Sequence, residues 1–245
     1  MSIAVSEALF ESSNPNIACF GDKFLECYKR DRRGGYSDRI QKLFESSGVG
    51  VDIITAKGAA NSDFNGAAMR AVPIGCLPDP EQVKHVAAKQ ALLTHDTLGG
   101  VLSAQLVALM SHYALYYDMP FQYMHSFLVK CLGTVAVDIC LPWDGRVAVG
   151  KDKPGMGMLT ARAVHTLLCE EPSLMSIMKR LICWGGDTDS VAAIAWGIAS
   201  ARYQDEVFPE FMERDLELAG NYGPVFLRSL GTRLMQKYNV QGARQ

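Results

Sequence analysis

Residues 98–113 read LGGVLSAQLVALMSHY, and this stretch decides the class of fold. Val101, Leu102, Leu106, Leu109, Met110 and Tyr113 recur at helical spacing, with Gln105 in the same row. That is one face of a helix with a period near 3.6. A half-buried strand would alternate every second residue, and no such alternation is sustained. The helical period continues outward on both sides. Ile17, Phe20, Phe24, Leu25 and Tyr28 make one stripe. Pro80 opens a helix with Val83, Val86 and Ala87 on its face, since proline suits a first helical position. Pro120 opens another that carries Phe121, Met124, Phe127, Leu128, Cys131 and Val135. Stretches near 156–170, 173–183, 188–203 and 223–238 read the same way, and only Val51–Thr55 looks strand-like. The expected class is all-α.

The chain has 245 residues, 49% of them hydrophobic and 20% charged, enough for a sizeable core. Lys and Arg number 24 against 26 Asp and Glu. That balance lacks the basic footprint of a dedicated nucleic-acid binder. No apolar run is expected to reach the roughly 18 residues of a membrane span. The opening MSIAVSEALFESSN carries Glu7 and Glu11 and no positive segment, unlike a secretory signal. The seven cysteines show no CxxC pair and sit mostly among apolar neighbours. They read as buried thiols of a reducing cytoplasm, and no histidine stands at zinc-ligand spacing from them.

Helical periodicity breaks at Asp31–Tyr36, at Gly58–Arg70 and at Pro142–Gly157. None of these looks like an interdomain linker, so one domain over 1–245 is expected. Such loops are where a helical scaffold carries a site. Gly185-Gly186-Asp187-Thr188-Asp189-Ser190 is the sharpest segment. Two carboxylates at i and i+2 diverge on a regular helix, but a Gly-Gly turn can bring them together. With the hydroxyls of Thr188 and Ser190 they form a hard-oxygen set suited to Mg²⁺, Mn²⁺ or Ca²⁺. Ala192, Ala193, Ala195, Gly197 and Ala199 would let the following helix pack closely and place the carboxylates deep in the fold. On spacing alone, ordinary helix capping by Asp187 or Thr188 is the better reading.

Ser62, Asn65 and Gly66 lie in a short polar turn that could present donors to a phosphate. No Gly-Lys-Ser/Thr follows, so it is not a Walker loop. His95 stands where two helical stripes break, with Asp96 or Thr97 placed to cap the second. It could donate to a sugar hydroxyl or a phosphate. The other four histidines read as packing or surface residues. Lys29–Arg33 could hold a phosphate, but a solvated helix end is the better reading.

Taken in order, these segments resemble the ADP-ribosylglycohydrolase family. GGDTDSVAAIAWGIASARY (185–203) is similar to the family's GGDTDT helix. SDFNGAAMRAVPIG (62–75) resembles its GNGAAMR loop, LLTHDTLGGVLSAQLVA (92–108) its T-H helix start, and RRGGYS (32–37) its R-R-G-Y segment. The resemblance implies an orthogonally packed helical bundle and hydrolysis of the bond linking ADP-ribose to a protein side chain or related acceptor. It implies a binuclear Mg²⁺ or Mn²⁺ centre. Asp187 and Asp189 would be catalytic and metal ligands, and Ser190, in place of the usual Thr, a third ligand. Ser62, Asn65, Gly66 and His95 would meet the ADP-ribose. The partner would be an ADP-ribosylated protein or an ADP-ribose-type small molecule, with arginine, serine, a nucleic-acid end or a metabolite as acceptor. Neither nucleic acid nor membrane is required, and a cytoplasmic monomer is expected.

The family's other metal ligands lie in a T-D-D-T stretch that precedes a helix resembling MSIAVSEALFES, where this chain starts. The expectation is therefore an N-terminally incomplete domain with one metal ion or none and weak turnover. The alternative is a non-catalytic ADP-ribose-binding or structural protein with the same fold.

Overall fold

The protein is described by a computed structural model over residues 1–50, 61–137, 141–143, 145–146, 155–216 and 222–240. Every regular element among these residues is helical. In chain order they are α1 (Ser2–Glu11), α2 (Ile17–Arg30), α3 (Asp38–Ser46), α4 (Gly66–Met69), α5 (Pro80–Leu92) and α6 (Leu98–Tyr116). Then come α7 (Met124–Leu132), α8 (Met156–Glu170), α9 (Leu174–Trp184), α10 (Thr188–Ala199), α11 (Phe211–Arg214) and α12 (Pro224–Lys237). Short 3-10 turns stand at Val72–Cys76, Phe121–Tyr123 and Gly133–Ala136. Val51–Thr55 and Cys140 lie outside the described residues.

Helix α6 is the centre. Leu106, Val107, Ala108, Leu109 and Met110 follow one another with no exposed surface. A helix apolar on every side must be covered on every side. The cover comes from α4, α5, α7, α8, α10 and the Val72–Cys76 turn. Full burial of a Leu or Met is worth about 1.5–3 kcal/mol, so this helix carries much of the core. Its length and mean hydropathy of 1.4 would also suit a membrane span, contrary to the expectation that no segment reaches that limit. Gln105, Ser103, Ser111 and His112 interrupt the apolar run without lowering its mean enough. Since 67% of that window is buried inside the protein, its apolar surface is used in the core.

The stripe from Pro120 to Val135 is broken where one helix was expected. It opens as a 3-10 turn, becomes α7, and ends at Gly133, whose φ of 69° leaves the helical region. The cysteines are less uniformly buried than expected. Cys27 and Cys76 are buried, Cys19, Cys131 and Cys169 half-buried, and Cys183 exposed.

Candidate functional site

The starts of α4, α6, α8 and α10 converge, because these helices pack on one another. Asn65, Thr97, Gly155 and Asp187 hold their N-cap positions. Thr97 behaves as a cap: its Oγ1 accepts from the Gly100 N–H at 3.0 Å and donates to the Ser62 carbonyl at 3.0 Å. Asp63 fastens the same loop to α8, its carbonyl accepting from the Gly157 N–H at 2.8 Å and its carboxylate from the Gly155 N–H.

Asp187 and Asn65 do not cap their helices. Gly185 and Gly186, with φ of 68° and 81°, turn the chain sharply between α9 and α10. The turn aims the Asp187 side chain across the cleft. There its Oδ2 accepts from Asn65 Nδ2 at 2.6 Å, and the same amide donates to Thr160 Oγ1 at 3.2 Å. Segments 122 positions apart are thus joined by one side-chain hydrogen bond. Asp189 and Ser190 are the other close neighbours of the Asp187 carboxyl. Burial, and then the neighbouring Asp189, push the Asp187 carboxyl above its usual range, while the bonds from Asn65 and Ser190 pull it back. The same contact with Asp187 holds Asp189 low. Two neighbouring carboxyls repel when both are ionised, and a proton or a cation relieves that repulsion.

The carboxylates are not deep, as the small-residue helix had suggested. Ser190 is buried, but Asp187 is only half-buried and Asp189 is exposed. In the first turn of α10 Asp189 is exposed while Ser190 and Val191 are buried, and farther along Ala193 is exposed while a Cβ on Gly197 would meet Val72 at 3.4 Å. An open mouth lowers the cost of holding two charges together.

His95 lies on the other side of Asn65. A Cβ added to Gly66 would sit 3.1 Å from its Cε1 and 3.3 Å from its Nε2. Burial, then the Arg70 and Arg39 guanidinium groups, lower its pKa to about 3, so the ring is neutral at ordinary pH. Ser62 is half-buried, and its Oγ accepts from the Phe64 N–H at 3.3 Å. The structure therefore brings Asn65, Gly66, His95, Asp187, Asp189 and Ser190 together, with Ser62 on the adjoining turn. Thr160, Arg70, Gln90 and Thr94 also belong to this neighbourhood and were not singled out by chemistry. The basic run 29–33 is spent elsewhere: Arg30 pairs with Glu7, Arg33 with Asp31, and Lys29 donates to the Gly48 carbonyl.

The sequence profile of the ADP-ribosylglycohydrolase family matches residues 1–243. The chain is similar to ADP-ribosylhydrolase ARH3 of Xenopus tropicalis, 26% identical across 85% of this chain and 73% of that protein. It is 25% identical to ADP-ribosylhydrolase ARH3 of Gallus gallus, across 89% of this chain and 72% of that one. A solved structure of an ADP-ribosylglycohydrolase-related protein complex superposes with a TM-score of 0.67. It covers 98% of this chain and 79% of that one at 17% identity, which establishes the all-α fold.

Proposed function

Because this chain belongs to the ADP-ribosylglycohydrolase family, a family of hydrolases acting on ADP-ribose, we propose that the cleft between Asn65, His95 and Asp187 is where it binds ADP-ribose and cuts its bond to an acceptor. The observation that carries this reading is the 2.6 Å bond from Asn65 to Asp187. It spends both side chains on each other and on the cleft rather than on their own helices. The same reading takes residues 1–245 as one domain, supported by a single core shared by helices from both ends of the chain.

In this reading a water attacks the anomeric carbon of the distal ribose, and the bond to the acceptor breaks. The acceptor leaves with a proton, and the water gives one up. In the absence of a cation, a carboxylate of the Asp187–Asp189 pair can take and return that proton. Asn65, fixed by Thr160 and Asp187, and the neutral His95 offer neighbouring groups to ribose or phosphate oxygens. Held still, they contribute by orientation rather than charge.

The donor set Asp187, Asp189 and Ser190 is chemically right for a hard divalent cation such as Mg²⁺ or Mn²⁺. The fit is to one ion. Among the described residues no group of three or more His, Cys, Asp or Glu gathers. Two formal charges do not offset two divalent ions held close together. When bound, such an ion would orient ribose hydroxyls and a water.

Titration calorimetry with ADP-ribose, with and without Mg²⁺, tests the reading. Asn65→Ala is expected to weaken binding roughly ten-fold, by analogy with loss of a hydrogen bond to a charged group. Release of ADP-ribose from a modified protein is expected to be slow and to rise with Mg²⁺ or Mn²⁺ up to millimolar levels. Wild-type affinity in Asn65→Ala would remove the cleft from the proposal. Binding without any release would favour the non-catalytic alternative.

A further inference from the structure

We propose that Thr94, held in place by the buried Arg70, is a positioning residue that keeps His95 as its Nε2–H tautomer and turns that N–H toward the cleft. The inference rests on the reading that His95 borders the ADP-ribose.

The argument is one of satisfying every buried hydrogen. Thr94 is 1% exposed and Arg70 2% exposed. Arg70 Nη2 donates to Thr94 Oγ1 at 2.7 Å and to the Gln90 carbonyl at 2.8 Å, while its Nε donates to Gln90 Oε1. Guanidinium can only donate, so one lone pair of the Thr94 oxygen is taken. His95 Nδ1 lies 2.7 Å from the same oxygen. If Nδ1 carried the ring proton, Thr94 Oγ1 would accept twice, and its own hydroxyl hydrogen would be buried with no acceptor among these partners. If Nδ1 is bare, the hydroxyl donates to it and nothing is left over. An unpaired buried donor costs enough to favour the second arrangement roughly ten-fold or more. The single ring proton then sits on Nε2, at the edge facing Gly66.

The ring cannot easily turn away. The His95 N–H donates to the Ala91 carbonyl at 2.8 Å. A Cβ on Gly100 would come within 2.8 Å of the His95 Cβ and 2.9 Å of its carbonyl. Glycine at 66 and at 100 therefore makes the socket, and Thr94 sets the ring within it. A neutral Nε2–H donor recognises an acceptor oxygen of a ribose or phosphate, and it cannot serve as a base toward the water.

The test is ¹⁵N NMR of the full chain with labelled histidine at neutral pH, His95 being assigned by the signal lost in His95→Gln. Removing Arg70 risks unfolding, so the variants are Thr94→Val and Thr94→Ser. We expect wild type and Thr94→Ser to show a bare Nδ1 and a protonated Nε2. In Thr94→Val that preference should weaken, and the Kd for ADP-ribose should rise roughly ten-fold, with kcat changed less than KM. A proton on Nδ1 in wild type, or an unaltered signature in Thr94→Val, would overturn the proposal. A weakened preference in Thr94→Val with unchanged ADP-ribose affinity would uphold Thr94's control of the ring and overturn the placement of His95 at the ligand.

Discussion

At the scale of single residues, the site depends on what is absent from position 66 as much as on what is present around it. A methyl group there would press on the His95 ring at 3.1–3.3 Å, tighter than ordinary contact. The ring has little room to yield, since Gly100 packs against the His95 Cβ and carbonyl and Thr94 holds its Nδ1 edge. Gly66→Ala is therefore expected to tilt the ring, weaken ADP-ribose roughly five-fold through one spoiled hydrogen bond, and lower stability by about 1 kcal/mol. Calorimetric titration with a thermal melt reads both numbers, and wild-type affinity in a folded variant would show that ring placement is irrelevant to the ligand. Asp187, Asn65 and His95 were legible in the sequence because each interrupts a helical pattern with polar residues and, in two cases, glycine. Thr160, Gln90 and Thr94 were not. A lone polar residue inside or at the end of a helical stripe looks the same whether it faces water or, like the unexposed Thr160 and Gln90, a buried partner.

At the scale of elements, two neighbouring helix starts use their N-cap residues differently. Thr97 closes the first turn of α6 and also ties down the loop at Ser62. Asp187 stands at the same position of α10 and makes no cap bond. Thr97→Ala is expected to cost about 1–2 kcal/mol, and Thr97→Ser to recover most of it. Asp187→Asn, measured without divalent cations, is expected to cost nothing or to stabilise by about 0.5–1 kcal/mol, because it removes a carboxylate held against Asp189. Urea unfolding of the three variants reads the contrast. Since Asn caps as well as Asp, a loss in Asp187→Asn as large as in Thr97→Ala would mean that the charge of Asp187 stabilises the fold more than its closeness to Asp189 costs. The long helices were readable from period alone, and 156–170 and 188–199 begin where the pattern begins. Helix α3 was missed. Its buried set is only Ile40, Leu43 and Phe44 among charged residues, too short a stripe to stand out. The single turn α4 has no period to read.

At the scale of the whole molecule, the packing that buries these histidines ties stability to pH. The pKa of His95 is lowered to about 3 and that of His165 to about 4, burial being the first cause in both. His112 is lowered too, chiefly by burial. In the unfolded chain each returns to its ordinary 6.5 and binds a proton as the pH falls below it, while the folded protein does not. Their contribution is therefore complete above pH 6.5 and is lost progressively below it, down to the folded values. At pH 5, His95 and His165 each account for about 2 kcal/mol, from 1.36 kcal/mol per pH unit. Together that is a large share of the roughly 5–15 kcal/mol that holds a domain folded. Glu7, lowered mainly by its bond from Arg30, enters only below its ordinary 4.5 and so lies outside this window. Asp187 works in the opposite sense, since its raised pKa favours the folded state as protons are added, but it is one half-buried group against three buried rings. We expect the free energy of urea unfolding to fall by about 3–4 kcal/mol between pH 7.5 and pH 5, and His95→Gln to show roughly half that fall. A change of less than about 1 kcal/mol in wild type would mean that the rings gain protons without unfolding, and that the interior around Thr94 and Arg70 is open to water.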